Sequence, residues 1–104
     1  MIDLLPKHLE EVQAILRQYL PPGSEVWAFG SRVNGMAAEG SDLDLVVRSA
    51  DGAGVVLTGL RAAFRDSNLP FKVELLDWAA IPDYFRHEIG NKYVVVQAFQ
   101  SADQ

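Results

Sequence analysis

The chain contains no cysteine in its 104 residues. That absence excludes disulfide bonds, thiolate metal ligands and a cysteine nucleophile, and it is typical of proteins in a reducing compartment. Long hydrophobic runs are also absent, since no apolar stretch approaches the roughly 20 residues that span a bilayer. The first residues lack the basic and apolar regions of a secretion signal. We therefore expect a cytoplasmic protein with no membrane segment.

Positive charge is scarce, with 9 Lys and Arg residues against 14 Asp and Glu residues and a formal net charge of -5. Such a balance disfavours nonspecific attraction to a phosphate backbone, so we expect no direct nucleic-acid binding. A bound nucleotide would have to be held locally, with cations to offset its charge. The hydrophobic fraction of 49% leaves room for an apolar patch that contacts a partner, and a homo-oligomer stays open.

Helix and strand patterns alternate along the chain without repeats or linkers, which at this length predicts a single domain over residues 1–104. Apolar residues spaced by three and four predict helices over 6–20 and 55–68. Pro82 and Gly90 predict a further short helix over 82–89. Short β-branched and aromatic runs predict four strands, the last of which could instead be a partner-binding tail: 26–29, 43–47, 71–78 and 93–99.

Two aspartates, Asp42 and Asp44, alternate with leucines where the second strand begins. Residues two apart in a strand leave the same face about 7 Å from each other. Two like charges about 6 Å apart repel by roughly 3 kcal/mol at an effective dielectric of 20, so a cation should offset them. If the third strand is a neighbour, strand parity brings Glu74 to the same face and turns Asp77 away. Three carboxylates on one face suit Mg²⁺ or Mn²⁺.

The first strand opens directly onto Gly30 and Ser31. If residues 32–36 make a short helical turn, the backbone amides there point forward and can bind a phosphate. Arg32 is the candidate phosphate-binding side chain, with simple exposure as the alternative. Alone, such a Gly-Ser pair is more often an ordinary turn. Beside an acidic cluster it indicates phosphoryl or nucleotidyl transfer with one or two metal ions.

The pattern of Gly30, Ser31, ten residues, Asp42, one residue and Asp44, with Glu74 on a later strand, resembles the polymerase-beta-like nucleotidyltransferase superfamily. The run GSRVNG…GSDLDLVV…FKVELLDW is similar to its minimal nucleotidyltransferase branch. The resemblance implies an α+β fold, with helices packed on one face of a small mixed sheet of three to four strands. It implies that the Gly-Ser pair binds ATP phosphates and that the three acidic residues bind metal and carry catalysis.

The third acidic position departs from the family pattern, which more often has aspartate there. The longer side chain of Glu74 could still reach a metal, or act as the base for an acceptor hydroxyl. His8 and His87 have no partner at ligand spacing, so we do not expect either to bind metal.

Minimal members of the superfamily are commonly paired with a small helical toxin of the HEPN type. The resemblance therefore implies Mg²⁺-dependent transfer of AMP from ATP to a hydroxyl, a tyrosine of such a toxin, by a chain that acts as antitoxin. The absence of an acceptor-binding domain fits a partner that completes the site. Two alternatives stay open: transfer to a small molecule such as an aminoglycoside, and a noncatalytic module that neutralises its partner by binding.

Overall fold

The computed structural model describes residues 2–38 and 40–98. Its elements in chain order are α1 Pro6–Tyr19, β1 Glu25–Phe29, α2 Ser31–Asn34, β2 Leu43–Arg48, α3 Thr58–Arg65, β3 Val73–Asp77, a 3-10 turn Trp78–Ala80, α4 Asp83–Asn91 and β4 Val94–Gln97. The four strands form one sheet in the order β3-β2-β1-β4. β1 is antiparallel to β2 and β4, whereas β2 and β3 are parallel. The predicted α+β fold with a mixed sheet is therefore confirmed.

Element ends differ from the prediction where tertiary contacts decide them. α3 begins at Thr58 and not at Val55, because the Val55 amide donates to Asp77 Oδ2 at 3.2 Å and holds this segment against the end of β3. The last strand ends at Gln97, and Phe99, the predicted end, lies outside the described residues.

The 14-residue α1 is the longest helix in the described part of the chain. Pro6 occupies its first turn, where the missing amide proton costs no hydrogen bond. Pro21 and Pro22 follow its end, and proline cannot continue a helix. No helix within residues 2–38 and 40–98 is long and apolar enough to cross a membrane.

The larger core lies between the sheet and the helices α1 and α3. Its helical members include Val12 and Leu16 of α1 and Leu60 and Phe64 of α3, all buried. From the sheet it takes alternate residues, as the strand period of two requires: Val26, Ala28, Leu43, Leu45, Val47 and Leu75. Each of the Val, Leu and Phe side chains contributes about 1.5–3 kcal/mol by leaving water.

A smaller core lies on the opposite face of the sheet, under α4. Ile89 of α4 is buried there with Trp27 and Val46, and Phe85 packs against the same cluster. The expected packing of helices on one face thus holds for α1 and α3 and not for α4, because the apolar side of α4 meets this second cluster. Asp44 lies two residues from Val46 in β2, so its side chain shares the face that α4 partly covers.

Candidate active site

Phe29, Asp44 and Glu74 lie in one row across the sheet. Phe29 of β1 is the register partner of Asp44 in β2, and Asp44 is the register partner of Glu74 in β3. Register partners point to the same face, and neighbouring strands lie about 4.8 Å apart. The structure therefore places Asp44 and Glu74 at neighbouring positions on one face of the sheet.

Asp77 points to the other face of the sheet. It is the register partner of Val47, which belongs to the larger core. Its Oδ1 accepts a hydrogen bond from the Ala79 amide at 3.0 Å, and its Oδ2 accepts one from Val55. The prediction that strand parity selects Glu74 over Asp77 is confirmed.

Asp42 lies in the loop that leads into β2 and not in the strand itself. The ladder begins one residue later, where the Leu43 amide donates to the Lys72 carbonyl at 2.9 Å. Asp42 and Glu74 are exposed, whereas Asp44 is half-buried. The three predicted acidic residues thus cluster at the start of β2 and β3, two of them open to solvent.

The environment of Asp44 disfavours its negative charge. Its pKa is raised above the ordinary carboxyl value, first because burial removes water and then because Asp42 and Glu74 add like charge. The three ion pairs in the described part of the chain join other residues, Arg48 with Glu25, Arg65 with Asp66 and Arg86 with Asp83. None of these pairs includes Asp42, Asp44 or Glu74, so among the described residues no protein cation lies within ion-pair distance of the acidic cluster. A bound metal ion would relieve the repulsion between these carboxylates.

The donor set consists of carboxylate oxygens alone, the ligands that Mg²⁺ and Mn²⁺ prefer. Among residues 2–38 and 40–98, no three acidic or histidine side chains already converge closely enough to hold a metal ion. The exposed side chains of Asp42 and Glu74 would have to rotate toward Asp44 for all three to contact one ion. The residues therefore fit a hard divalent cation in charge and chemistry, and their metal-binding roles stay predictions.

Gly30 connects the acidic cluster to the predicted phosphate loop. Its φ of 80° lies in the left-handed region, and a Cβ built on it would collide with Asp44 Oδ2. Only glycine allows both the turn and the close approach of the carboxylate. The sequence interpretation of Gly30 as a turn at the strand end is correct, and the turn abuts the carboxylate directly.

The short helix α2 follows this turn, one residue earlier than predicted. Its Val33 and Asn34 amides both donate to the Gly30 carbonyl at 3.0 Å. The preceding amides, those of Ser31 and Arg32, belong to the first turn and have no acceptor within the helix. The backbone at Ser31 can therefore donate to an anion that approaches past Gly30.

Arg32 binds the chain's own backbone instead of facing this space. Its Nε donates to the Ser41 carbonyl and its Nη1 to the Asp3 carbonyl, each at 2.9 Å. Its guanidinium also lies over the Phe71 ring, 4.5 Å from the centroid. The structure thus places the predicted phosphate ligand in a scaffolding position, tying the segment before Asp42 to the segments before α1 and β3.

A cavity that the sequence interpretation missed lies beside Gly30, with a volume of about 310 Å³. Its apolar wall is made by Phe29, Phe85 and Ile89, and its rim carries Asn34, Glu88 and Lys92. The spacing of four between Phe85 and Ile89 places both on one side of α4, which was the available signal. Which sheet face this side would meet was not readable from spacing.

Comparisons with known proteins agree with this arrangement. A family model described as a nucleotidyltransferase domain matches residues 9–101. The probable protein adenylyltransferase MntA of Haemophilus influenzae (strain ATCC 51907 / DSM 11121 / KW20 / Rd) is 44% identical over 97 residues, which cover 92% of this chain and 84% of that protein.

Two solved structures share the fold. A crystal structure of a toxin-antitoxin with AMP-PNP aligns with a TM-score of 0.72 and 20% identity, over 88% of this chain and 74% of that chain. A crystal structure of a mutant of the toxin-antitoxin MntA-HpeT aligns with a TM-score of 0.70 and 19% identity, over the same shares of 88% and 74%. The family match over residues 9–101 and the 44% identity to the Haemophilus influenzae protein show that the chain belongs to the nucleotidyltransferase domain family and is a nucleotidyltransferase of its minimal branch.

Proposed function

We propose that the protein is a Mg²⁺- or Mn²⁺-dependent protein adenylyltransferase that transfers AMP from ATP to a tyrosine hydroxyl of a HEPN-type toxin, and that it acts in this way as a cytoplasmic antitoxin. The observation that carries the proposal is the row in which Glu74 lies beside Asp44, with Gly30 against the Asp44 carboxylate. Two similarities support it: the 44% identical relative is named a probable protein adenylyltransferase, and a solved toxin-antitoxin structure with AMP-PNP has the same fold.

In this proposal, Asp42, Asp44 and Glu74 hold the divalent cation, which when bound neutralises the triphosphate and lowers the pKa of the attacking hydroxyl. The acceptor oxygen forms a bond to the α-phosphorus, and the bond from that phosphorus to the leaving pyrophosphate breaks. The amides at Ser31 donate to the phosphates that depart. Gly30 lets those phosphates approach the Asp44 carboxylate without a side chain between them.

In this proposal, Glu74 also accepts the proton of the acceptor hydroxyl. β3 is an edge strand of the sheet, and Glu74 is exposed on it, whereas Asp44 is half-buried on the inner strand β2. An acceptor carried by a separate protein can therefore approach Glu74 from the side of the sheet. General-base catalysis of this kind contributes typically 10²–10⁴-fold to a rate.

Exposed apolar side chains near the site support a protein as acceptor. Met36 is 76% exposed just after α2, and Tyr84 is 75% exposed in α4. These two helices flank the cavity beside Gly30. Apolar side chains that are exposed beside a site offer contact area to a protein that docks there.

The test incubates the protein with ATP labelled on the α-phosphate, Mg²⁺ and the product of the adjacent gene as the candidate partner. We expect label on a tyrosine of the partner, and loss of labelling in the double variant Asp42→Asn and Asp44→Asn. The matched control is Asp66→Asn, because Asp66 is an exposed aspartate at the end of α3 whose surface ion pair contributes little.

Absence of label with the wild-type protein, or equal labelling by the double variant, would contradict the catalytic proposal. If the double variant still neutralised the partner at an equal dose, a noncatalytic binding function would be the better account. Transfer of label to an added aminoglycoside, and none to the partner, would favour the small-molecule alternative.

A further inference from the structure

The cavity beside Gly30 lies on the same face of the sheet as Asp44 and Glu74. Phe29, which forms part of its wall, is the register partner of Asp44. Gly30, which also lines it, is in contact range of the Asp44 carboxylate. One strand spacing, about 4.8 Å, therefore separates the cavity wall from the strand that carries the carboxylates.

Two aromatic rings, those of Phe29 and Phe85, form most of the apolar wall of this cavity. The rings of Phe29 and Phe85 lie edge to face, with centroids 5.9 Å apart and planes at 89°. Ile89 is buried behind them and closes the apolar side. A flat aromatic ligand laid on one of these rings would meet the edge of the other, which is the arrangement that aromatic groups favour.

The rim of the cavity offers hydrogen bonds to a ligand with a polar edge. Asn34 Oδ1 accepts from the Met36 amide at 3.0 Å, which leaves its NH₂ group to donate outward. Glu88 supplies acceptor oxygens and Lys92 supplies a cationic donor, both from exposed positions. Hydrogen-bond acceptors for an exocyclic amine and donors for ring nitrogens thus lie around the apolar wall of the cavity.

The geometry points to this cavity as the site of the purine base of the nucleotide, with its triphosphate over Gly30 and the acidic cluster. This inference rests on the proposed function, since it assigns a place to the base of the same ATP molecule. A cavity of about 310 Å³ lies at the lower end of the size range of ligand pockets, which suits the base alone, with the ribose and phosphates outside. The ring of a tyrosine acceptor would use the apolar wall and leave most of the polar rim without partners.

The experiment measures the dissociation constants of Mg·ATP and of magnesium tripolyphosphate by calorimetry, for the wild type and Phe85→Ala. Tripolyphosphate has the phosphates and no base. We expect Phe85→Ala to weaken Mg·ATP binding about tenfold, as for loss of one aromatic contact to a base, and to leave tripolyphosphate binding unchanged. His87→Ala is the matched control, because His87 carries a ring on the same helix, is exposed and does not line the cavity.

Equal weakening of both ligands would overturn the inference, since Phe85 would then support only the fold. Unchanged ATP affinity with a raised KM for the protein acceptor would also overturn it and assign the cavity to the acceptor ring. If the wild type bound neither ligand, the proposed function itself would fail.

A second measurement keeps the inference testable if Phe85→Ala does not fold. Nuclear Overhauser contacts between the adenine protons of bound ATP and the ring protons of Phe29 or Phe85 are expected in the wild-type protein. Contacts of those adenine protons only with residues outside the cavity would overturn the placement.

Discussion

The Asp44 carboxylate occupies the space that a Cβ of residue 30 would need. Gly30 also has a φ of 80°, so an alanine there would be strained even in open space. We expect Gly30→Ala to lower the free energy of unfolding by about 1–3 kcal/mol and to displace Asp44, with at least a tenfold loss of Mg·ATP affinity. Urea denaturation and calorimetry measure the two effects.

Gly35 supplies the matched control for that substitution. Its φ is 83°, and nothing lies within 4 Å of a Cβ built on it. Gly35→Ala should therefore show the backbone strain and keep the ligand affinity. Equal loss of affinity in both variants would mean that the contact with Asp44 is irrelevant to binding.

The metal-free protein should become less stable as pH rises through the raised pKa of Asp44. Burial, then the charges of Asp42 and Glu74, raise that pKa above the value of the unfolded chain, so the folded state binds more protons between the two values. The contribution of Asp44 to stability is therefore favourable at low pH and lost above its folded pKa. We expect Asp44→Asn to be more stable than wild type at neutral pH in EDTA, by urea denaturation.

The same measurement with Mg²⁺ present should reverse the order. A cation that binds only the folded wild type stabilises it by mass action, about 2.7 kcal/mol at a concentration of 100 times Kd. Asp44→Asn should gain much less from Mg²⁺, and Asp66→Asn should behave as wild type. Greater stability of the wild type in EDTA would contradict the charge repulsion described for this cluster.

Arg32→Lys should destabilise the protein although it keeps the charge. Lysine cannot donate from two fixed directions to the Ser41 and Asp3 carbonyls while stacking on Phe71. We expect a loss of about 1–2 kcal/mol in the free energy of unfolding and weaker Mg²⁺ binding, because Ser41 adjoins Asp42. Arg65→Lys is the control, since Arg65 is exposed and, within the described part of the chain, its ion pair is with the neighbouring Asp66. Weaker tripolyphosphate binding at unchanged stability would instead favour the original interpretation of Arg32 as a phosphate ligand.

Substitutions of Glu74 and Asp77 should affect different quantities, although both residues belong to β3: the first should lower kcat and the second the free energy of unfolding. Glu74→Gln removes the proposed base from an exposed position of β3, so kcat should fall at least 100-fold with the free energy of unfolding unchanged or raised. Asp77→Ala removes the acceptor for the Val55 and Ala79 amides, so it should cost about 1 kcal/mol and leave kcat near wild type. Kinetics of AMP transfer and urea denaturation of both variants measure the two effects. The opposite pairing of effects would contradict the assignment of the two faces.

The sequence was sufficient to predict that Asp44 and Glu74 share one face of the sheet. It was not sufficient to predict the residues that surround them. Glu74 could be distinguished from Asp77 because side-chain direction alternates strictly along a strand. The partners of Arg32 could not be anticipated, since Asp3 and Phe71 reach it only through the tertiary fold. The face of the sheet that α4 covers could not be predicted either. An apolar stripe indicates that a helix packs against other residues, but it does not identify those residues.

The parallel pairing of β2 with β3 has a consequence for the order of folding. Gly30 and Asp44 come from β1 and β2, antiparallel neighbours in both sequence and space. Glu74 joins them only after the chain has crossed over through α3, since parallel strands need such a connection, and nonlocal pairings of this kind form slowly. A growing chain would thus bring Gly30 and Asp44 together before Glu74 joins them, and α4 and β4, which follow β3 in the sequence, would pack later still.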